Sequence, residues 1–333
     1  MGRKRNLWRK TAGRAAALAA AAVLAVTASG CGPGWASDAA EFASRLKAGM
    51  EASQAEQETQ TAQIAAAADP VTGETSYDFL LVGTDRRQKN WNGNSDVMLL
   101  ATVNYNQKTI VLTSFMRDLG VEIPGVGFGK LNSAYARGGI SLLVSTLTSV
   151  FQVDVDNYAI MDFDDAAALI DDYGGVDAAV TTAEAESLNQ NLHEMGNLYG
   201  FDADAYAVAG RDDGGTVHLN GYQAVAYARI RHVGNSDYER TSRQREVLTS
   251  FLGKFKDASL TEMLDAVGDA RELMTTDLTD DDAGAMLQRY LTARTYTVIE
   301  NRVPYDGYYT SQDENLIPDL DYTISMLQQM LYQ

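Results

Sequence analysis

The stretch YDFLLVGTDRRQKNWNGNSDVMLLATVNYNQKTIVLTSF, residues 77–115, carries the pattern that decides the fold. Its first nine residues are an apolar run that stops at Gly83 and a polar turn, which reads as a buried strand. Residues 97–104 and 109–115 repeat the pattern, and the polar turn at 105–108 between them has hairpin spacing. A short strand at 121–123 ends at Pro124. From Asn132 the apolar period lengthens, predicting helices over 132–137, 140–151 and 163–172 that alternate with extended segments at 157–161 and 176–180. Gly138-Gly139 and Gly174-Gly175 look like helix stops. Strands interleaved with helices argue for an α/β domain whose sheet is covered on both faces. Residues 184–215 are polar and rich in Gly and Asp, and read as surface loop. Helices over 221–228, 238–255, 261–274, 281–292 and 320–331, with a strand at 295–303, complete the domain.

Outward from this body, the N-terminus has the form of a targeting segment. Arg3, Lys4, Arg5, Arg9, Lys10 and Arg14 precede an apolar run over 15–26 and then small residues up to Cys31. A bilayer crossing needs about 20 apolar residues, so this run is a signal peptide before it is an anchor. Cys31, the single cysteine, stands where bacterial lipoproteins are cleaved and lipidated. Lipidation there would hold the mature chain on the extracytoplasmic face of the cell membrane; the alternatives are cleavage after Ala28 or a retained anchor. Residues 1–31 are thus a signal peptide with a lipoprotein site, 32–75 a polar spacer and 76–333 the folded domain. One cysteine makes no disulfide.

The formal charge is −18, and the first 30 residues hold six of the 27 basic residues and no acids. Beyond them 21 basic residues face 45 acidic ones, a field that excludes nucleic acid and anionic surfaces as general partners. An anionic ligand needs a local cluster of cations. LNGYQAVAYARIRHVGNSDYERTSRQREV, residues 219–247, supplies one, with arginines at 229, 231, 240, 243 and 245. Arg229 and Arg231 share a face only if the backbone there is extended. Arg240, Arg243 and Gln244 share one side of a helix that Ser236 and Glu239 would cap. Guanidinium forks converging near a helix N-terminus suit a phosphate or pyrophosphate. The opposing reading is a solvated helix whose arginines pair with Asp237, Glu239 and Glu246.

Strand ends supply further candidates. Asp85 and Arg86-Arg87 follow the first strand, Asp96 precedes the second and Arg117-Asp118 follows the third, at the edge where open sheets collect ligands. Asp85 and Asp96 suit a hard cation such as Mg²⁺ that also bridges substrate phosphates. The three scattered histidines, 193, 218 and 232, do not suggest a nitrogen-ligated metal, and no G-x-S-x-G elbow supports a Ser-His-Asp triad.

In order, LLVGTDRR, NSDVMLLATVN, SFMRDLGVEIPG, KLNSAYARGG, DDYGGVD and LNGYQAVAYARIRH followed by ERTSRQREVL resemble the LytR-CpsA-Psr family of bacterial cell-wall proteins over residues 77–250. The resemblance implies a three-layer α/β/α domain with a central mixed sheet and an apolar pocket for a polyprenyl tail. It implies an extracytoplasmic, Mg-dependent phosphotransferase that moves a glycopolymer from a polyprenyl pyrophosphate carrier to peptidoglycan. Carried over by motif, Asp85 and Asp96 would hold the cation, and Arg117, Arg229, Arg231, Arg240 and Gln244 would bind the pyrophosphate. Lys130 and Asp237 match positions near the head group, and Asp237 or Asp85 would take the proton of the acceptor hydroxyl. Asn94 stands where the family usually has Arg, and Met116 where it usually has Pro. A non-catalytic lipoprotein that binds polyprenyl phosphate and a pyrophosphatase are the competing readings.

Overall fold

Residues 68–85, 93–234, 237–255, 269, 273–279 and 282–333 are described by a computed structural model. The signal segment, Cys31, most of the spacer, Arg86, Arg87, Lys89, Ser236 and all but a few residues of the helix expected over 261–274 lie outside that set. In chain order the elements are β1 (Ser76–Asp85), β2 (Asn94–Asn104), β3 (Thr109–Phe115), β4 (Gly120–Ile123), β5 (Gly127–Lys130) and α1 (Asn132–Phe151). Then come β6 (Asn157–Asp162), α2 (Phe163–Asp172), β7 (Val176–Ala178), α3 (Thr182–Tyr199), β8 (Val217–Leu219), α4 (Gly221–Ala228) and α5 (Asp237–Gly253). The chain closes with β9 (Thr275–Thr276), α6 (Asp282–Ala293), β10 (Thr297–Val303), β11 (Tyr309–Gln312), β12 (Asn315–Pro318) and α7 (Leu320–Tyr332).

Six strands form a mixed sheet in the order β10-β3-β2-β1-β6-β9. The period of two along each strand sends Tyr77, Phe79, Leu99, Ala101, Ile110 and Leu112 to one face. Leu80, Val82, Met98, Leu100, Val111 and Phe115 go to the other. Residues of α2, α5 and α6, among them Leu169, Leu252 and Met286, cover the first face. The second face is covered by Leu143, Leu147 and Phe151 of α1 with Leu327 and Leu331 of α7. Each such fully buried side chain contributes about 1.5–3 kcal/mol. Because both faces are covered, the central strands read as continuous apolar runs. A third cluster joins Leu188 and Leu192 of α3 to Ala224 and Tyr227 of α4.

α1 spans both predicted helices, and the break falls where the glycine pair placed it: Gly138 and Gly139 leave helical geometry, Gly139 with φ +64°. The apolar stripe of α1 divides. Leu143, Leu147 and Phe151 belong to the core. Ile140 and Val144 line a groove of about 530 Å³, together with Ser141, Ser145, Thr148, Ser149, Val155, Tyr158 and Asp277.

One expectation is corrected. Residues 184–215 are not mainly loop, because α3 occupies Thr182–Tyr199 and a 3-10 turn follows at Ala203–Tyr206. Its start is a capping box in which Thr181 accepts from the Glu184 N–H and Glu184 accepts from the Thr181 N–H. Ala185, Leu188, Leu192 and Met195 form its buried stripe, a helical period diluted by polar neighbours. Ahead of β1, Asp69 is buried and pairs with Arg289 at 2.7 Å, so the turn before Ser76 packs onto the domain.

Candidate active site at the strand ends

β1 pairs in parallel with β6, β3 pairs in parallel with β10, and β2 runs against both β1 and β3. The C-terminal ends of four strands and the start of β2 therefore meet at one edge of the sheet. Asp85 ends β1 there, opposite Asn94. In the ladder Thr84 faces Ser95 while Gly83 faces Val97, so Asp96 is the extra residue of a β-bulge. A bulge re-aims the side chain it carries, here at the edge where ligands gather. Gly83 permits the close approach: a Cβ there would stand 2.9 Å from the Val97 side chain.

Asp96 accepts from two guanidiniums, Oδ1 from Arg117 Nη1 at 3.0 Å and Oδ2 from Arg231 Nη2 at 3.3 Å. Arg117 Nε also reaches Asp118 at 3.3 Å, and Lys130 Nζ from the end of β5 meets Asp118 at 2.8 Å. The result is a ladder of alternating charge, Lys130–Asp118–Arg117–Asp96–Arg231. Beside it, Arg229 Nη2 stands 4.0 Å from Asp85 Oδ2, with its guanidinium 5.3 Å from the Phe163 ring. Exposure is lowest at Asp96, 10%, and rises towards both ends of the ladder, to 32% at Lys130 and 40% at Arg231, so these two cations mark the mouth.

The arginine-rich stretch divides into two groups. Arg229 is the C-cap of α4 in helical geometry, not extended, and Arg231 follows in irregular backbone just ahead of the bend over residues 232–234. The two share a site because the turn aims them at different carboxylates, which corrects the expectation of an extended segment. Arg243 holds that turn. Its Nε donates to Glu184 at 2.8 Å, Nη1 to the Ile230 carbonyl at 3.3 Å and Nη2 to the Val233 carbonyl at 3.1 Å. Burial works against the Glu184 carboxylate, but the Thr181 N–H and the Arg243 guanidinium hold it below its ordinary range. Arg245 pairs with Glu300 at 2.7 Å and donates to Ser114 at 2.9 Å. The local-pairing expectation also fails, because these four arginines meet Asp85, Asp96, Glu184 and Glu300, all remote in sequence. Glu246 instead accepts from the Ala179 N–H and the Tyr227 hydroxyl.

Of the other predicted residues, Gln244 turns its amide to the Ala228 carbonyl at 3.5 Å and supports the end of α4. Arg240 lies in the first turn of α5 and is only 2% exposed. Asp237 begins α5, but its side chain is outside the described set. The structure thus brings together Asp85, Asp96, Arg117, Lys130, Arg229 and Arg231, while Arg243 and Gln244 hold the backbone that carries the last two. Asp118, named with Arg117 among the strand-end candidates but given no role there, joins Lys130 to Arg117.

Among the described residues no three His, Cys, Asp or Glu side chains cluster closely enough to hold a metal unaided. Two hard carboxylates, Asp85 and Asp96, are the donor type that suits Mg²⁺, which usually completes its shell with water and substrate oxygens.

The model of the LytR_cpsA_psr family matches residues 41–329. The chain is 29% identical over 253 residues to the Polyisoprenyl-teichoic acid--peptidoglycan teichoic acid transferase TagU of Bacillus licheniformis, covering 73% of this chain and 75% of that one. It is 32% identical over 219 residues to Biofilm regulatory protein A of Streptococcus mutans, covering 62% of this chain and 49% of that one. With that relative, the match spans about half of the relative's length. A solved structure described as TagT bound to LI-WTA superimposes with a TM-score of 0.59 at 26% identity, covering 78% of this chain and 92% of that chain.

Proposed function

Because the chain belongs to the LytR_cpsA_psr family, we propose that it transfers a glycopolymer from a polyprenyl pyrophosphate carrier onto peptidoglycan outside the cell membrane. The observation that carries this reading is the convergence of Arg117 and Arg231 on Asp96, with Arg229 on Asp85 alongside, at one edge of the sheet. A relative named for transfer of teichoic acid to peptidoglycan supports it.

In the proposed reaction an acceptor hydroxyl oxygen attacks the phosphorus that bears the glycopolymer. A new P–O bond forms, the bond to polyprenyl phosphate breaks, and the product is a phosphodiester. Such transfers depend on positioning and on neutralising charge at the phosphate oxygens. Arg117, Arg229 and Arg231 present guanidinium forks for that purpose, and Lys130, tied to Arg117 through Asp118, adds positive charge at the head group. Gln244 acts by holding the end of α4 in place, and Arg240, buried in the first turn of α5, adds positive charge for the pyrophosphate. Mg²⁺ bound by Asp85 and Asp96 would supply further neutralisation of the phosphates. The hydroxyl proton passes to a carboxylate of the site, Asp85 or Asp237. Lipidation at Cys31 would keep the domain at the membrane where the carrier resides.

The test is the release of polyprenyl phosphate from a polyprenyl pyrophosphoryl saccharide by the full chain, with and without Mg²⁺ and a soluble peptidoglycan fragment. Acceptor-dependent, Mg-dependent release is expected, and Arg117→Ala and Asp96→Asn should each reduce it about 10²- to 10³-fold. Release that ignores the acceptor would mean a pyrophosphatase. Carrier binding without release would mean a non-catalytic binding protein, the reading that Asn94 opposite Asp85 keeps in play.

A further inference from the structure

On the β6 side of the site four aromatic rings gather where α3 ends and α4 begins. Phe201 and Tyr222 stack with centroids 4.3 Å apart and planes at 23°, and Tyr199 continues the stack on Tyr222 at 6.2 Å and 24°. Tyr206 packs edge-on to both Phe201 and Tyr222, at 5.2 and 6.1 Å. All four rings are half-buried, so the stack is not sealed into the core.

The stack is tied to the reacting centre. The Tyr222 hydroxyl donates to Asp164 Oδ1 at 2.7 Å. Asp164 sits in the first turn of α2, two residues after Asp162, which faces Thr84 next to Asp85 in the β1–β6 ladder. Phe163, between the two acids, lies under Arg229. Burial raises the Tyr199 phenol to about 12, with the Arg229 guanidinium lowering it and Asp85 raising it, so the ring feels both members of that pair.

We propose that the Tyr199–Tyr222–Phe201 stack is a subsite for the acceptor, seating one pyranose ring beside the Arg229–Asp85 pair. The apolar C–H face of a pyranose is complementary to the negative face of an aromatic ring, and its equatorial hydroxyls point outward as donors. Asp162 and Asp164 decide which substrate sits here. Carboxylates accept from neutral hydroxyls, whereas the phosphates of an anionic glycopolymer would be repelled by them. The cationic ladder on the opposite flank takes the phosphates, so donor and acceptor approach the strand ends from two sides. This inference rests on the transferase reading for its substrate, but its first test needs no turnover.

Saturation-transfer NMR of the full chain with a soluble peptidoglycan disaccharide is that test. Transfer to the sugar ring protons is expected in the parent and in Tyr222→Phe, which keeps the ring. It should be lost in Tyr222→Ala and in Phe201→Leu, which keeps apolar bulk but removes the aromatic face. No transfer in the parent, or undiminished transfer in Phe201→Leu, overturns the subsite. In the release assay the same variant should raise the acceptor KM about two- to tenfold and leave the carrier KM unchanged. A rise confined to the carrier KM also overturns it. A parent that binds the disaccharide but releases no polyprenyl phosphate would overturn the transferase and leave the subsite standing.

Discussion

The two ends of β1 hold similar residues and use them differently. At its N-terminal end Asp69 and Arg289 pair at 2.7 Å with side chains 1% and 9% exposed, and the guanidinium stacks 4.0 Å from the Tyr77 ring. Asp78, one residue further, is buried against the Thr102 hydroxyl, and Asp156 accepts from its N–H at 2.7 Å. At the C-terminal end Asp96 shares two arginines, each of which has an open side. A sealed one-to-one pair contributes architecture, since neither partner can be replaced by water or ligand without a large desolvation cost. A partly exposed ladder can exchange a carboxylate for a phosphate at little cost, which is what a binding site requires.

The contrast breaks most visibly at the sealed end. Arg289→Ala leaves a buried Asp69 carboxylate without its partner and is expected to destabilise the fold by about 3–5 kcal/mol. Chemical denaturation measures that loss, while transfer per folded molecule should stay at the parent level. A stability change below about 1 kcal/mol would show that the pair is not sealed.

A smaller effect is expected where the two behaviours meet. Arg243 is buried like the sealed end but serves the site, through the Ile230 and Val233 carbonyls. Arg243→Ala should cost about 1–3 kcal/mol of stability and also raise the carrier KM, because the turn bearing Arg231 loses its hold. A stability loss with an unchanged carrier KM would detach Arg243 from the site.

The smallest effect concerns pH. Burial pushes the Asp78 carboxyl well above its ordinary range, with the Thr102 hydroxyl opposing. For an acid whose folded pKa is raised, folding is favoured while the group is protonated in both states. Stability then falls as pH rises above the unfolded value of about 4 towards the raised folded value. Asp78→Asn should therefore flatten the decline of Tm with rising pH above about pH 4. An unchanged slope in a Tm series across that range would show that Asp78 is ionised in the fold at no cost.

Much of the fold was legible in local pattern. β3 spans Thr109–Phe115 as read from its apolar run, and the Gly138-Gly139 break was visible as a glycine pair. α3 was missed because Ser, Asn, Gln and Glu between its apolar positions mask the period, although Thr181 and Glu184 offered a capping box. The β11–β12 hairpin was missed because its turn uses Asp313 and Glu314 at φ 50° and 62°, without the glycine that normally marks such a turn.

Sequence by itself determined five of the sheet's six strands, the family and the residue types of the site, because apolar periodicity and short motifs are local properties. Tertiary structure alone decided which arginines serve the site. Within one helix-and-turn segment Arg231 reaches Asp96, Arg243 reaches Glu184 and Arg245 reaches Glu300. These partners lie far along the chain, and whether a guanidinium ends sealed or open depends on burial that no spacing encodes. The bulge at Asp96 has the same origin: it exists only in the register between two strands, a property of the pair and not of either segment.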